Sequence, residues 1–229
     1  MMAIKIKHVV LASPEQMEFI IEGMRNPMNS WDKSDSYTSL EFNLNNKAMY
    51  PKFNLKENDH SLMQRLAKAG TDHRKYMRMM PVYVRITAPL YWWKEFDTYK
   101  VGAVANSCST MHKIQEKEFT LEDFSYEHLI DEPFPVTDEY VETYLDCMKD
   151  TIKALNCARR MFLETKNKKY WWQIIQLLPS SYNQTRTVTM TYENIYTMRQ
   201  QRKGHKLDEW RFDFFNWSDE LPHLKELFD

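Results

Sequence analysis

Glycine is scarce: the chain of 229 residues holds four, Gly23, Gly70, Gly102 and Gly204. Their spacing excludes both GxGxxG and GxxxxGK, so a bound nucleotide would be held without a glycine-rich phosphate cradle. Cysteine is equally sparse. Cys108, Cys147 and Cys157 are odd in number and form no CxxC pair, which excludes a disulfide scaffold or zinc ribbon and fits reduced thiols. No apolar run approaches the roughly 18 residues of a membrane span. Residues 1–14 lack an apolar stretch followed by a small-residue cleavage site, and are expected to form a short alternating strand rather than a signal peptide. His60, His73 and His112 are scattered and no HExxH occurs, so metal catalysis is not expected. The formal net charge of −1 provides no global field for nucleic acid. These absences point to a cytoplasmic protein with no nucleic-acid, membrane or metal partner.

What is present fits a globular α+β chain. It is 43% hydrophobic and 28% charged, and its length suits one domain spanning 1–229. Ile4 to Leu11 alternates as a strand, and Ser13-Pro14 opens a helix whose apolar face is Met17, Phe19, Ile20, Ile21 and Met24. The polar stretch 26–56 has no firm period and is expected to be mostly loop. A short helix is expected from Ser61 to Ala69, stopping at Gly70. Alternation from Val82 to Thr87 predicts a strand, and Pro89 a helix through Phe96. Residues 101–112 are expected to be loop and the acidic stretch 116–132 solvent-facing. Helices are expected over 138–160 and 168–177. Arg186–Met190 suits a strand or helix start, and a helix follows from about Tyr192. The segment Lys206–Trp217 is aromatic on one face. The pairs Trp92-Trp93 and Trp171-Trp172 suit a thick aromatic core.

Three segments, in order, resemble the flavin-dependent thymidylate synthases. The first runs from Leu62-Met63-Gln64-Arg65-Leu66 to Gly70 and on through the strand to Ala88-Pro89. In the second, Lys94 to Lys100 and Val101 to His112 stand where the family has RQWxRHR and SxNExSxRY. Asn106 and Ser109 fall on the family's Asn and second Ser. The third is Leu178-Pro179-Ser180-Ser181-Tyr182, similar to LPxxxY, followed by Arg199 or Arg202 and an aromatic helix around Trp210. The departures are specific: RHR becomes Thr98-Tyr99-Lys100, the Glu of NE becomes Ser107, and the Arg and Tyr of SxRY become Met111 and His112.

The resemblance implies an α+β fold with a central antiparallel or mixed sheet packed by helices, a homotetramer, and methylation of dUMP to dTMP. FAD would be the cofactor, with NADPH and methylene-tetrahydrofolate as co-substrates. It also implies roles for residues. Arg202 or Arg199 would be the catalytic guanidinium. Thr98, Tyr99, Lys100, Asn106 and His205 would meet the cofactor, and Lys94, Glu95, Ser107, Cys108, Ser109 and Arg202 the nucleotide. Each has a plain alternative. Arg199 and Arg202 suit a solvated helix end, His205 a cap after Gly204, Asn106, Ser107 and Ser109 ordinary turn chemistry, and Cys108 a small packed residue. Two other functions compete. One is a non-canonical pyrimidine-nucleotide-binding or -modifying homologue without flavin chemistry. The other is a non-catalytic assembly protein that self-associates through the aromatic surfaces Trp92-Trp93, Trp171-Trp172 and Trp210 to Trp217.

Overall fold

Ser13 starts the first helix by a capping box. Its Oγ accepts from the Gln16 amide at 3.2 Å while the Gln16 side chain accepts from the Ser13 amide at 2.8 Å, and Pro14 occupies the first helical position. The computed structural model describes residues 4–45, 47–133 and 143–228. Six strands and eight α-helices follow in the order β1 (Lys5–Leu11), α1 (Pro14–Gly23), β2 (Tyr37–Asn43), β3 (Ala48–Asn54), α2 (Glu57–Lys68), α3 (Lys75–Met79), β4 (Pro81–Pro89), α4 (Leu90–Phe96), β5 (Val104–Ser107), α5 (Tyr144–Thr165), α6 (Lys168–Leu177), β6 (Asn183–Thr191), α7 (Tyr192–Arg202) and α8 (Phe215–Asp219). The larger sheet has the strand order β1-β4-β6-β5; β2 and β3 form a separate antiparallel pair in which Leu40 faces Pro51 and Phe42 faces Met49.

The chain divides into two compact units. The first holds residues up to 5, 86–98 and 106–186; the second holds 6–85, 99–105 and the chain from 187 on. In the first unit, Trp92 and Trp93 are completely buried and Phe96 nearly so. A second cluster packs Ile114, Phe119, Phe124, Leu155, Ala158 and Ile174. The acidic stretch is therefore anchored rather than wholly solvent-facing. Phe119 and Phe124 are buried, and the Asn156 side chain closes both backbone groups of Phe119 at 2.9 and 2.8 Å. Tyr182 packs edge-on to Phe124, with centroids 5.7 Å apart. The Leu178-Pro179-Ser180-Ser181-Tyr182 turn also caps α4, whose Leu90 and Tyr91 amides donate to the carbonyls of Tyr182 and Ser180 at 3.0 Å each.

Several expectations are corrected. Residues 37–43 and 48–54 pair as antiparallel strands, not loop, because alternation hidden among Asn and Ser residues is completed by cross-strand pairing. Helix α2 begins at Glu57, earlier than Ser61, because its cap is remote: the Asp35 carboxylate accepts from the Asn58 and Asp59 amides at 3.0 and 3.2 Å. Within 101–112, Val104–Ser107 is a strand, and the neighbouring Cys108 amide bonds the Thr185 carbonyl at 2.9 Å. Phe19 is 69% exposed while Ile20, Ile21 and Met24 are buried; at about 100° per residue Phe19 falls off their stripe. Trp172 is 44% exposed, so the aromatic-core reading holds for Trp92-Trp93 and not for Trp171-Trp172. The expected helix 138–160 runs Tyr144–Thr165, and its first residues lie outside the described ones.

In the second unit, α7 starts where expected. Thr191 Oγ1 accepts from the Asn194 amide at 3.3 Å, and Asn194 Oδ1 returns the bond to the Thr191 amide at 2.9 Å. Asn194 Nδ2 also donates to the Val101 carbonyl at 2.7 Å, and a Cβ on Gly102, at φ +79°, would come within 3.2 Å of Asn194 Oδ1. Gly102 is thus required both by its backbone and by this close approach. Thr191→Ala should lower the stability of the second unit by about 1 kcal/mol. Urea unfolding checks this, and an unchanged midpoint would mean that solvent replaces the cap.

Candidate functional site

In the second unit, helix α7 ends on Arg202, where a cation complements the helix dipole. The guanidinium is half-buried. Its Nε donates to Tyr99 Oη at 2.9 Å, and its carbon lies 5.4 Å from the Tyr99 ring centroid and 5.2 Å from that of the buried Trp210. His205 sits beside it, with Nε2 3.0 Å from an Arg202 terminal nitrogen and Nδ1 3.2 Å from the Leu207 amide. A neutral imidazole accepts on one nitrogen only, so its tautomer decides which donor it holds. Trp210 belongs to a π-helical turn, Glu209–Phe214, which aligns Trp210, Phe214 and Trp217 as successive ring contacts at 5.0 and 5.4 Å. The structure therefore brings together Tyr99, Arg202 and His205, three residues far apart in sequence or separated by a turn, and sets a guanidinium beside two neighbouring aromatic rings whose centroids are 6.3 Å apart.

Arg199 takes a different course. It pairs with Asp219 at 2.6 Å, donates to the Phe215 carbonyl at 3.1 Å and to the Ser218 hydroxyl, and lies over the rings of Phe215 and Phe228. These contacts bind α7 to the C-terminal segment. Of the two arginines left open by the sequence, Arg199 has a structural engagement and Arg202 stands in the aromatic cluster. Lys100 is exposed.

In the first unit, Cys108 and Ser109 line a cavity of about 350 Å³ together with Lys5, Asp123, Tyr182 and Gln184. Gln184 is buried, and its Nε2 fixes the Cys108 carbonyl at 2.7 Å; the hydroxyls of Thr87 and Thr185, also on the wall, lie 2.7 Å apart. Burial raises the Tyr182 hydroxyl above its ordinary pKa, with Asp123 and Cys108 adding to the effect. Lys5 is matched by the wall carboxylates Glu122 and Asp123, so the cavity has no surplus positive charge. Sequence reading missed Thr87, Thr185 and Gln184, since nothing in strand alternation distinguishes a wall position from any other.

The remaining candidates do not join that cavity. Lys94 and Glu95 lie on α4, where Lys94 is exposed and the Glu95 carbonyl accepts from Thr98 Oγ1 at 2.8 Å. Asn106 and Ser107 are exposed on β5. Arg186, unassigned from sequence, pairs with Asp97 at 2.7 Å and stacks 4.3 Å from the Trp93 centroid. Among the described residues no group of three or more His, Cys, Asp or Glu is placed to hold a metal ion, and no helix is long and apolar enough to cross a membrane. The three cysteines form no disulfide.

No family model matches the chain, and no curated protein matches it either. Solved structures do. A structure of thymidylate synthase X from Helicobacter pylori with FAD and dUMP is similar over 100% of this chain and 98% of its own, with 14% sequence identity and a TM-score of 0.63. A second structure, of the flavin-dependent thymidylate synthase from the same organism complexed with FAD and dUMP, gives the same figures. Likeness over the full length of both chains, with a mixed helix-and-strand architecture, establishes that this chain has the flavin-dependent thymidylate synthase fold.

Proposed function

We propose that the protein binds a pyrimidine nucleotide, with Arg202 as the group that meets the pyrimidine carbonyl. The observation that carries this reading is the Arg202 guanidinium set against the Tyr99 and Trp210 rings, with His205 beside it. A carbonyl that gains negative charge is stabilised by preorganised cationic donors, and more strongly where aromatic walls lower the local dielectric. Tyr99 and His205 orient the guanidinium and hold it out of its solvated rotamers. A cytoplasmic location, supported by three cysteines without a disulfide, belongs to the same reading. So does a homotetramer, for which the exposed hairpin residues Leu40, Phe42 and Met49 offer apolar surface.

The second reading is methylation of dUMP to dTMP with FAD, NADPH and methylene-tetrahydrofolate. Full-length likeness to structures solved with FAD and dUMP favours it. The donor set of this chain does not fit the flavin dinucleotide. Two phosphate charges would meet one cation, Lys100, in the stretch 98–107, while the Thr98 hydroxyl donates to the Glu95 carbonyl and Tyr99 Oη accepts from Arg202. Titration of the native protein with FAD and then dUMP separates the readings. Nucleotide binding by calorimetry with no bound-flavin band is the expected result. A flavin band that shifts on addition of dUMP would establish the second reading, and absence of both ligands would overturn both in favour of an assembly role.

A further inference from the structure

A second polar cavity, of about 350 Å³, lies within the second unit between the end of α2 and helix α7. Its polar wall comprises Lys68, Thr71, Arg74, Thr197, Gln200 and Gln201, with Tyr196 as an aromatic side and no carboxylate among the lining residues. The turn at Gly70, φ +109°, brings Arg74 back over α7, and the Arg74 amide closes it on the Gly70 carbonyl at 3.3 Å.

Arg74 is the informative residue. Its side chain is only 16% exposed, and its guanidinium stacks 4.7 Å from the Tyr196 centroid. The nearest carboxylate oxygen, Glu193 Oε1, is 3.9 Å from Arg74 Nε, too far for a hydrogen bond, and both of those atoms are buried without a hydrogen-bond partner among the described residues. Glu193 holds Arg78 with its other oxygen at 2.9 Å. A buried guanidinium whose Nε lacks an acceptor is unfavourable unless something else accepts from the group. An oxyanion is the matching acceptor, because two of its oxygens can take parallel N–H donors from the planar fork. Lys68 would add a point charge at the rim, and the Gln200 and Gln201 amides and the two threonine hydroxyls further donors. Tyr196, Thr197, Gln200 and Gln201 share one stripe of α7, whereas Arg202 lies about 100° round the helix from Gln201, so this cavity is distinct from the Arg202 cluster.

We propose that the Lys68–Arg74–Gln200 cavity is a binding site for an oxyanion group, phosphate or carboxylate, of a small molecule. The inference does not rest on the nucleotide reading above. Calorimetric titration of the full chain with inorganic phosphate and, separately, with succinate tests it. Saturable binding of at least one is expected; phosphate alone would assign a phosphorylated ligand and succinate alone a carboxylate. Lys68→Gln, an exposed position that leaves packing intact, should weaken binding about tenfold, and Arg74→Gln at least as much, the loss expected for one charge-assisted contact. Lys203→Gln makes the same charge change outside the cavity and should leave affinity unaltered. No saturable binding of either anion, or equal affinity in Lys68→Gln and Lys203→Gln, would overturn the proposal. Lys68→Gln keeps the test decisive even if Arg74→Gln fails to fold.

Discussion

Asp59→Ala should cost the second unit about 3–5 kcal/mol, the penalty for breaking a buried ion pair from one side. Asp59 is fully buried, and its Oδ1 lies 2.6 Å from Nε of Arg25, itself 5% exposed. Its Oδ2 accepts from the Ser34 hydroxyl at 2.9 Å and from the Asp35 and Ser36 amides at 3.0 and 2.9 Å. Removing the carboxylate strands three donors and a guanidinium whose Nη2 already lacks a partner. It also loosens the segment that presents Asp35 to the start of α2. Urea unfolding with a tryptophan probe measures the loss, and a change below about 1 kcal/mol would mean that water enters and replaces these bonds.

The same group predicts a pH dependence. Burial by itself pushes the Asp59 carboxyl up, but hydrogen bonds from Ser36, Arg25 and Ser34 together outweigh it and hold the group below its ordinary value. A depressed folded pKa contributes stability that is complete above the unfolded value, about 4, and is lost as pH falls through the folded value. The native protein should therefore weaken below about pH 4 with a slope that is shallower in Asp59→Asn.

Arg202→Ala should weaken dUMP binding about 10- to 100-fold, which corresponds to one or two charge-assisted hydrogen bonds. Arg199→Ala should behave in the opposite way. It removes the pairing with Asp219, the bonds to Phe215 and Ser218 and the stacking on Phe228, all of which bind α7 to the chain's end. Its expected signature is about 2 kcal/mol of lost stability with a smaller change in affinity. Calorimetry with dUMP and thermal melting of both variants separate the two. Equal dUMP affinities in the two variants would sink the role given to Arg202.

The order of elements was legible in the residues because most of it is local. Ser13-Pro14, the alternation through β4 and Pro89 before α4 are signals carried within a turn or a strand. The hairpin 37–54 was not, since its apolar positions become a face only when β2 and β3 pair. Helix α2 began early because Asp35, far upstream, supplies its cap, and the segment 116–132 was anchored by two phenylalanines that no period marks.

For the site, the residues narrowed the guanidinium to Arg199 or Arg202 and no further. Both lie in one helical turn with the same charge, so sequence spacing cannot tell them apart. Which arginine meets Tyr99 and Trp210 and which meets Asp219 depends on where the C-terminal turn folds back, and that is a matter of long-range packing. Arg74 shows the same division. Composition made it one cation among many, whereas its burial over Tyr196 with an Nε that lacks an acceptor exists only in the folded chain. The sequence by itself determined the locally signalled helices and strands, their order and the absence of a glycine cradle, because these follow from backbone preference and periodicity. Only the tertiary structure decided which charges are engaged and which face a cavity, because desolvation and partnering depend on neighbours distant in the chain.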